Sequence, residues 1–198
     1  MDTFLAVNLI ILWLMVLLNL ILTLALVKKV NREGNERSIE SGLKPGTKAP
    51  DFTGRTLDEK TVTLADFKGK RFTLLFISPH CSPCKEKLPE YERLHAQSRK
   101  HGDELLLVSI FGTPEDVEAM VSEYKLTIPV LLAPSDSNAF ANDYKVNGTP
   151  SYCVINEQVL VESSGHPFSV EGGEWKKLVD KWESVVDNNT LIVETKHF

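Results

Sequence analysis

An almost unbroken apolar run from Phe4 to Val27 limits what this chain can fold into more than any other feature of it. Only Asn8, Asn19 and Thr23 interrupt the run. As an α-helix it would be about 36 Å long, which exceeds the roughly 30 Å hydrocarbon core of a bilayer. The sequence therefore predicts one membrane span over residues 4–27, and the remaining residues must fold as a separate unit.

A cleaved secretory signal peptide is the alternative interpretation of this run. Such a signal carries a basic segment, an apolar core of about 7 to 15 residues and a cleavage site of small residues. Here the apolar run is longer, only Met1 to Thr3 precede it, and Lys28 and Lys29 follow it. We therefore expect residues 1–30 to be an uncleaved anchor in contact with membrane lipid.

The charges beside the span and the redox motif of the chain give conflicting indications of the orientation of the span. Lys28, Lys29, Arg32 and Arg37 follow the span and no basic residue precedes it, so the positive-inside rule would keep the folded part in the cytoplasm. Protein disulfides form outside the cytoplasmic membrane, however, and the redox motif described below is most useful there. We expect an extracytoplasmic domain on a single-pass membrane protein.

Beyond the anchor, the chain is polar first and then alternates apolar and amphipathic segments. The net charge of −5 argues against a nucleic-acid partner, which would require a basic surface. Residues 31–48 show no sustained helical or strand period, which indicates a polar tether. We expect a folded domain over residues 49–186 and a C-terminal tail over residues 187–198.

The order of elements in the domain predicts an α/β fold. Strands are expected at 62–64, 72–77, 105–111 and 130–132, and helices at 84–101, from Pro114 onward behind a Thr113 cap, and at 139–145. A hairpin of 151–155 and 158–162, turning at Asn156-Glu157, and a last amphipathic helix follow. Such an order predicts a central mixed β-sheet flanked by helices, which is the thioredoxin pattern.

Cys81-Ser82-Pro83-Cys84 lies where the apolar strand gives way to a helical pattern. Unpaired N–H groups and the positive end of the helix dipole favour an anionic sulfur at that place, so the pKa of the first thiol is expected to fall. Cys81 is then the nucleophile. Cys84 lies about one turn further on, where it can resolve a mixed disulfide, and Pro83 is expected to tune the redox potential.

The alternative for a Cys-x-x-Cys motif is half of a zinc site. Zinc needs four ligands, and Cys153 is the only other cysteine in the sequence. We therefore expect no metal, and no cofactor beyond the Cys81–Cys84 dithiol. Cys153 lies in a predicted strand, where buried packing is the preferred interpretation over a third redox thiol.

Several segments together resemble the redoxin branch of the thioredoxin superfamily, the TlpA-like membrane-anchored proteins. The resemblance covers roughly residues 43–186 and rests on the motif and the segments Lys48-Ala49-Pro50-Asp51-Phe52, Leu64-Ala65-Asp66-Phe67-Lys68-Gly69-Lys70 and Val146-Asn147-Gly148-Thr149-Pro150. The anchor and the stretch Leu74 to Cys81 are similar to the methylamine-dehydrogenase accessory (MauD-like) thioredoxins. Those proteins help to form or hold disulfides of a secreted partner.

The resemblance implies roles for residues outside the motif. The family's nucleophilic and resolving cysteines fall on Cys81 and Cys84, and its cis-proline falls on Pro150, so Thr149 would present its backbone to an extended substrate. An ordinary turn proline is the alternative for Pro150. His80 replaces the usual aromatic residue before the first cysteine and is expected either to favour the thiolate or to be an exposed loop residue.

One family feature is missing from the sequence. Many relatives bury an acid beneath the disulfide, and Leu75 and Lys87 hold those positions here, while the neighbouring Glu86 should point elsewhere on the helix.

We expect a membrane-tethered thiol–disulfide oxidoreductase with a cysteine-containing client protein and an upstream redox partner. The preferred direction is that of a reductase or maturation helper for an envelope or secreted protein. Two alternatives stay open. A redoxin-type thiol peroxidase would use Cys81 with Ser78 three residues before it, and a non-catalytic module would hold a client beside Pro150 without covalent chemistry.

Overall fold

The chain forms two units in the computed structural model, which describes residues 2–39, 42–168 and 173–194. The first unit is Met1–Glu40 and the second is Ser41–Phe198.

The first unit is a single helix, α1, over Asp2–Ile39. Within it Val7–Lys29 is long and apolar enough to cross a membrane, with a mean hydropathy of 2.8 and no residue buried by the rest of the chain. The helix continues as far as Ile39 through the polar residues that follow the span, where the sequence shows no sustained helical period. The first proline of the sequence, Pro45, comes after the end of this helix.

The second unit is built on a mixed sheet of seven strands in the order β2-β1-β5-β4-β3-β6-β7. The strands are β1 Thr53–Arg55, β2 Thr61–Thr63, β3 Arg71–Ile77, β4 Asp103–Ser109, β5 Val130–Leu132, β6 Ser151–Ile155 and β7 Val161–Gly165. The central strand β3 pairs in parallel with β4 and antiparallel with β6. The predicted α/β class with a central mixed sheet is confirmed.

Helices α2 (Ser82–Lys100), α3 (Pro114–Tyr124) and α5 (Glu174–Glu194) supply apolar residues to one face of the sheet. Side chains from alternate strand positions, including Leu75, Leu107 and Val154, complete that core. The other face is covered by the segment before β1, a 3₁₀ turn at Leu64–Phe67 and the short α4 (Phe140–Asp143). Phe52 and Phe140 stack there with ring centroids 4.3 Å apart.

The structure corrects the predicted hairpin after β6. The second strand begins at Val161 instead of residue 158, because the side-chain oxygen of Asn156 accepts hydrogen bonds from the backbone N–H groups of Gln158 and Leu160. These bonds close a longer turn in which Val159 adopts a positive φ of 63°. Strand β1 was not predicted, and β4 covers 103–109 instead of 105–111.

The last helix, α5, extends to Glu194, beyond the predicted domain end at Val186. The remainder of the predicted tail, residues 195–198, lies outside the described residues.

A buried carboxylate lies at the end of the sheet where β3 and β4 begin. The Asp103 side chain is 3% exposed and accepts hydrogen bonds from Arg71 and, at 2.8 Å, from the indole Nε1 of Trp182. Arg71 also donates to Glu162 at 2.6 and 2.9 Å. This network joins the start of two central strands to β7 and α5.

Candidate active site

The Cys-x-x-Cys motif lies where the central strand β3 meets the helix α2. Strand β3 ends at Ile77, and Cys81 is the N-cap residue of α2. Its backbone is extended (φ −91°, ψ 106°), which turns the chain from the sheet edge into the helix. The motif thus occupies the carboxyl end of a central strand, where reactive groups of open α/β sheets gather.

The local electrostatics of this helix start favour negative charge on sulfur. The Cys81 Sγ accepts a hydrogen bond from the backbone N–H of Cys84 at 3.2 Å. The first turn of α2 contains no acidic residue that would offset the helix dipole. Pro83 lies at the second helical position, exposed, and removes one of the unpaired N–H groups there.

The two cysteines form a disulfide, with their Cα atoms 5.2 Å apart, and they differ in exposure. Cys84 is 0% exposed and packs in the core with Leu88 and Tyr91. Cys81 is only partly buried. A thiolate from outside therefore reaches the sulfur of Cys81 more readily than that of Cys84.

The loop before β6 brings a second backbone segment to the disulfide. The Thr149–Pro150 peptide bond is cis, and the Thr149 carbonyl oxygen lies 3.4 Å from the Cys81 Sγ. The Ser151 hydroxyl donates to the Gly148 carbonyl at 2.6 Å and holds the loop from the other side. The backbone N–H of Thr149 donates no hydrogen bond to any of the described residues.

His80 lies beside the neighbouring helix α3. Its side chain is 65% exposed, and its Nε2 lies 3.5 Å from the Asp116 carboxylate. That carboxylate also caps α3 by accepting the backbone N–H of Thr113 at 2.9 Å. This bond, and to a smaller degree the nearby His80, lowers the pKa of Asp116.

The two positions at which the family resemblance implies a buried acid hold no carboxylate. Leu75 is fully buried in the core that contains Cys84. Lys87 is 39% exposed and forms an ion pair with Glu90 at 2.5 Å. Glu86 is exposed on α2. Proton transfer at the buried cysteine therefore depends on groups other than an acid at these places.

Two exposed aromatic residues belong to the surroundings of the site, and the sequence analysis did not single them out. Phe168 is 50% exposed, and the Lys87 ammonium lies 5.9 Å from its ring centroid. Phe111, 49% exposed, follows β4 at the same sheet edge as the motif. The signal in the sequence is that each is a large apolar residue within three positions after a strand end.

Cys153 lies on the opposite face of the sheet from the disulfide. It pairs with Leu74 on β3 and belongs to the core on the α4 side, whereas Cys84 belongs to the core on the α2 side. Burial raises the pKa of the Cys153 thiol to about 12. This thiol is a packing group and is separated from the disulfide by the sheet.

No group of three or more His, Cys, Asp or Glu side chains that could hold a metal ion is found among residues 2–39, 42–168 and 173–194.

Comparison with known proteins gives a family match over the folded unit. Residues 45–164 match the AhpC/TSA family. The chain is 31% identical over 128 residues to the thioredoxin-like protein YneN of Bacillus subtilis, covering 62% of this chain and 72% of that protein. It is 32% identical over 144 residues to the thiol-disulfide oxidoreductase ResA of Bacillus cereus, covering 72% of this chain and 82% of ResA.

Solved structures support the same fold. The thioredoxin domain of a thiol-disulfide oxidoreductase from Bacteroides vulgatus superposes with a TM-score of 0.60 at 24% identity, covering 71% of this chain and 98% of that one. A thiol:disulfide interchange protein from a Bacteroides species gives 0.59 at 24% identity, covering 70% and 90%. The chain belongs to the AhpC/TSA family, on its branch of thioredoxin-like thiol–disulfide oxidoreductases.

Proposed function

We propose that this chain exchanges disulfides with client proteins through Cys81 and Cys84 while α1 tethers it to a membrane, and that it works as a reductant or maturation helper. The observation that carries the proposal is the arrangement at the helix start. The accessible Cys81 sulfur lies beside the Thr149 backbone, and Cys84 is buried behind it.

The first step uses the reduced form of the pair. The Cys81 thiolate, favoured by the N-terminus of α2 and by the Cys84 N–H, attacks one sulfur of a client disulfide. A bond forms between Cys81 and that sulfur, and the other client sulfur leaves as a thiolate. The partial exposure of Cys81 supports its assignment as the attacking group.

The second step releases the client. Cys84 loses its proton and attacks the Cys81 sulfur, so the mixed disulfide breaks and the client departs with both sulfurs reduced. The product is the Cys81–Cys84 disulfide seen here. An upstream dithiol then supplies two electrons to restore the reduced pair.

Backbone pairing is the proposed mode of client binding. Thr149 presents a carbonyl beside Cys81 and an N–H without a partner among the described residues. An extended client segment can pair with both groups as an added strand would, and this places its disulfide over Cys81. The exposed rings of Phe111 and Phe168 lie where flanking apolar side chains of that segment can pack.

The redox site on a membrane-anchored chain supports an extracytoplasmic location, against the positive charges that follow the span. A membrane-bound dithiol is useful where protein cysteines become oxidised, so the proposed client is an envelope or secreted protein. The stretch from Leu74 to Cys81 that resembles MauD-like proteins agrees with a role in maturing one partner. Protease treatment of intact spheroplasts tests the orientation, because a domain that survives is cytoplasmic.

A trapping experiment tests the mechanism. The variant Cys84→Ser cannot resolve the first step, so clients should accumulate as mixed disulfides on Cys81 that a diagonal gel reveals. The variant Cys81→Ser is the matched control and should trap far less, since its remaining thiol is buried. Equal trapping by both variants, or none by either, would contradict the assignment.

Equilibrium with glutathione tests the direction of electron flow. A potential near −270 mV supports a reductant, whereas one near −120 mV marks an oxidant and would overturn the proposed direction.

The two alternatives have separate tests. Against a peroxidase, Cys81 is bonded to a resolving cysteine only three residues away. Consumption of peroxide with dithiothreitol as reductant would favour that function. Client maturation that survives replacement of both cysteines by serine would favour a non-covalent binding module.

A further inference from the structure

Asn19 is a polar side chain near the middle of the apolar helix α1. The apolar stretch runs from Val7 to Lys29, so a helix that spans the membrane holds Asn19 close to the bilayer centre. Polar groups at that depth are unfavourable unless a hydrogen bond satisfies them, and they seldom face lipid.

The side chain of Asn19 finds no such bond with the described residues of its own chain. The Thr23 hydroxyl one turn away donates to the backbone carbonyl of Asn19 at 2.8 Å, which satisfies Thr23. The side-chain amide of Asn19 is exposed and has no hydrogen-bond partner among the described residues. A second molecule must therefore supply its donor and acceptor.

The position of a second asparagine defines the face of α1 that this molecule would contact. Asn8 lies three helical turns before Asn19, so both amides point to nearly the same side of the helix. Both belong to a row of residues on one face of α1, which we call the seam, with alternating spacings of four and three residues, as in a left-handed pair of helices. The seam consists of Asn8, Leu12, Met15, Asn19, Leu22 and Leu26. The remaining seam residues are large and apolar.

We propose that α1 is a self-association helix, and that the occupant of this seam is a second copy of the same chain in parallel orientation. An asparagine amide both donates and accepts, so two copies can satisfy each other. Two copies inserted in the same direction place Asn19 opposite Asn19 and Asn8 opposite Asn8 without further adjustment. Any other partner would need a polar group of its own at the depth of Asn19.

This inference rests on α1 spanning a membrane, and the test uses the full-length chain in phosphatidylcholine vesicles. Two batches carrying donor or acceptor fluorophores are mixed under reducing conditions, so that cysteine cross-links cannot form, and energy transfer is followed as lipid dilutes the protein. Asn19→Leu should weaken the pair roughly three- to thirty-fold, the range of single polar contacts between membrane helices.

Two further variants separate the amide from other effects. Asn19→Gln keeps a donor and an acceptor and should retain most of the association. Leu17→Ile changes a residue on the opposite side of α1 and should leave it unchanged. Wild-type energy transfer no greater than that of randomly distributed monomers, or an Asn19→Leu variant equal to wild type, overturns the inference.

A carbonate wash of the same vesicles distinguishes a chain that is not anchored from a chain that is anchored but does not associate. A chain that washes off is not anchored, and the tethered function fails with it. A chain that stays bound but does not associate removes only the pairing, and mixed-disulfide trapping through Cys81 would still be expected.

Discussion

Replacing Asp103 by Asn should destabilise the folded unit through the network at the start of β3 and β4. The Asp103 carboxylate is 3% exposed and accepts hydrogen bonds from Arg71 and Trp182. Removing one partner of a buried ion pair costs about 3–5 kcal/mol when the other charge is left unpaired. Arg71 keeps Glu162 at 2.6 Å, so we expect a smaller loss of about 2–3 kcal/mol.

The adjacent residue of the same strand supplies the matched control. Glu104 forms an exposed ion pair with Lys70 at 2.9 Å, with side chains 42% and 53% exposed. Exposed pairs contribute about 0–1 kcal/mol, so Glu104→Gln should change the free energy of unfolding by no more than that. Both substitutions remove one negative charge from β4, and the two sites differ in burial and in the number of partners of the carboxylate.

Urea unfolding of the full chain in detergent, followed by circular dichroism, measures both effects. Asp103 lies at the opposite end of the sheet from Cys81, about 20 Å away for a strand of this length, so the folded variant should exchange disulfides at the wild-type rate. The reasoning is refuted if Asp103→Asn changes stability by less than about 0.5 kcal/mol, or if Glu104→Gln costs as much.

Three other predictions follow from single side chains. Cys153→Ala should leave disulfide exchange unchanged. In the native protein, Cys153 should alkylate at pH 7 roughly a thousand-fold more slowly than a free cysteine, because burial raises its pKa to about 12. Mass spectrometry after timed labelling measures the rate of alkylation. Burial raises the pKa of Glu92, but hydrogen bonds from Thr127 and Ile128 outweigh it and the net pKa is lowered. The stabilisation by Glu92 is therefore complete above about pH 5 and is lost as the pH falls through the folded pKa, so Glu92→Gln should flatten acid unfolding; an unchanged pH–stability curve would contradict this. His80→Ala should lower the potential of the cysteine pair by up to about 30 mV in a glutathione titration, since an exposed imidazole stabilises the reduced form only weakly; a rise would contradict the expected role.

Local sequence patterns were sufficient where one segment determines its own structure. The apolar run before the motif predicted β3 within one residue, because a buried central strand is apolar on both faces. Thr113 and Pro114 predicted the start of α3, since an N-cap hydroxyl and a proline at the first helical position satisfy local rules. The place of Cys81 between β3 and α2 followed from these patterns.

Features that depend on distant partners were not predictable in the same way. Strand β1 contains a glycine and only three residues, and it exists because it pairs with both β2 and β5. The turn after β6 is held by one asparagine side chain, which a hairpin pattern does not reveal. In the sequence, Asp103 is an ordinary charged residue before a predicted strand. Its role becomes visible only when the fold brings Arg71 and Trp182 to it.

The N–H of Thr149, which has no partner in the part of the chain that the structure describes, has a consequence for the choice of clients. A client that binds through its backbone is selected mainly by whether that backbone is free to form hydrogen bonds, and less by its side chains. Cystines already enclosed in finished folds offer no open edge, so such a protein would act during a limited period, on chains newly exported and still unpacked. Timing would then decide which substrates it meets.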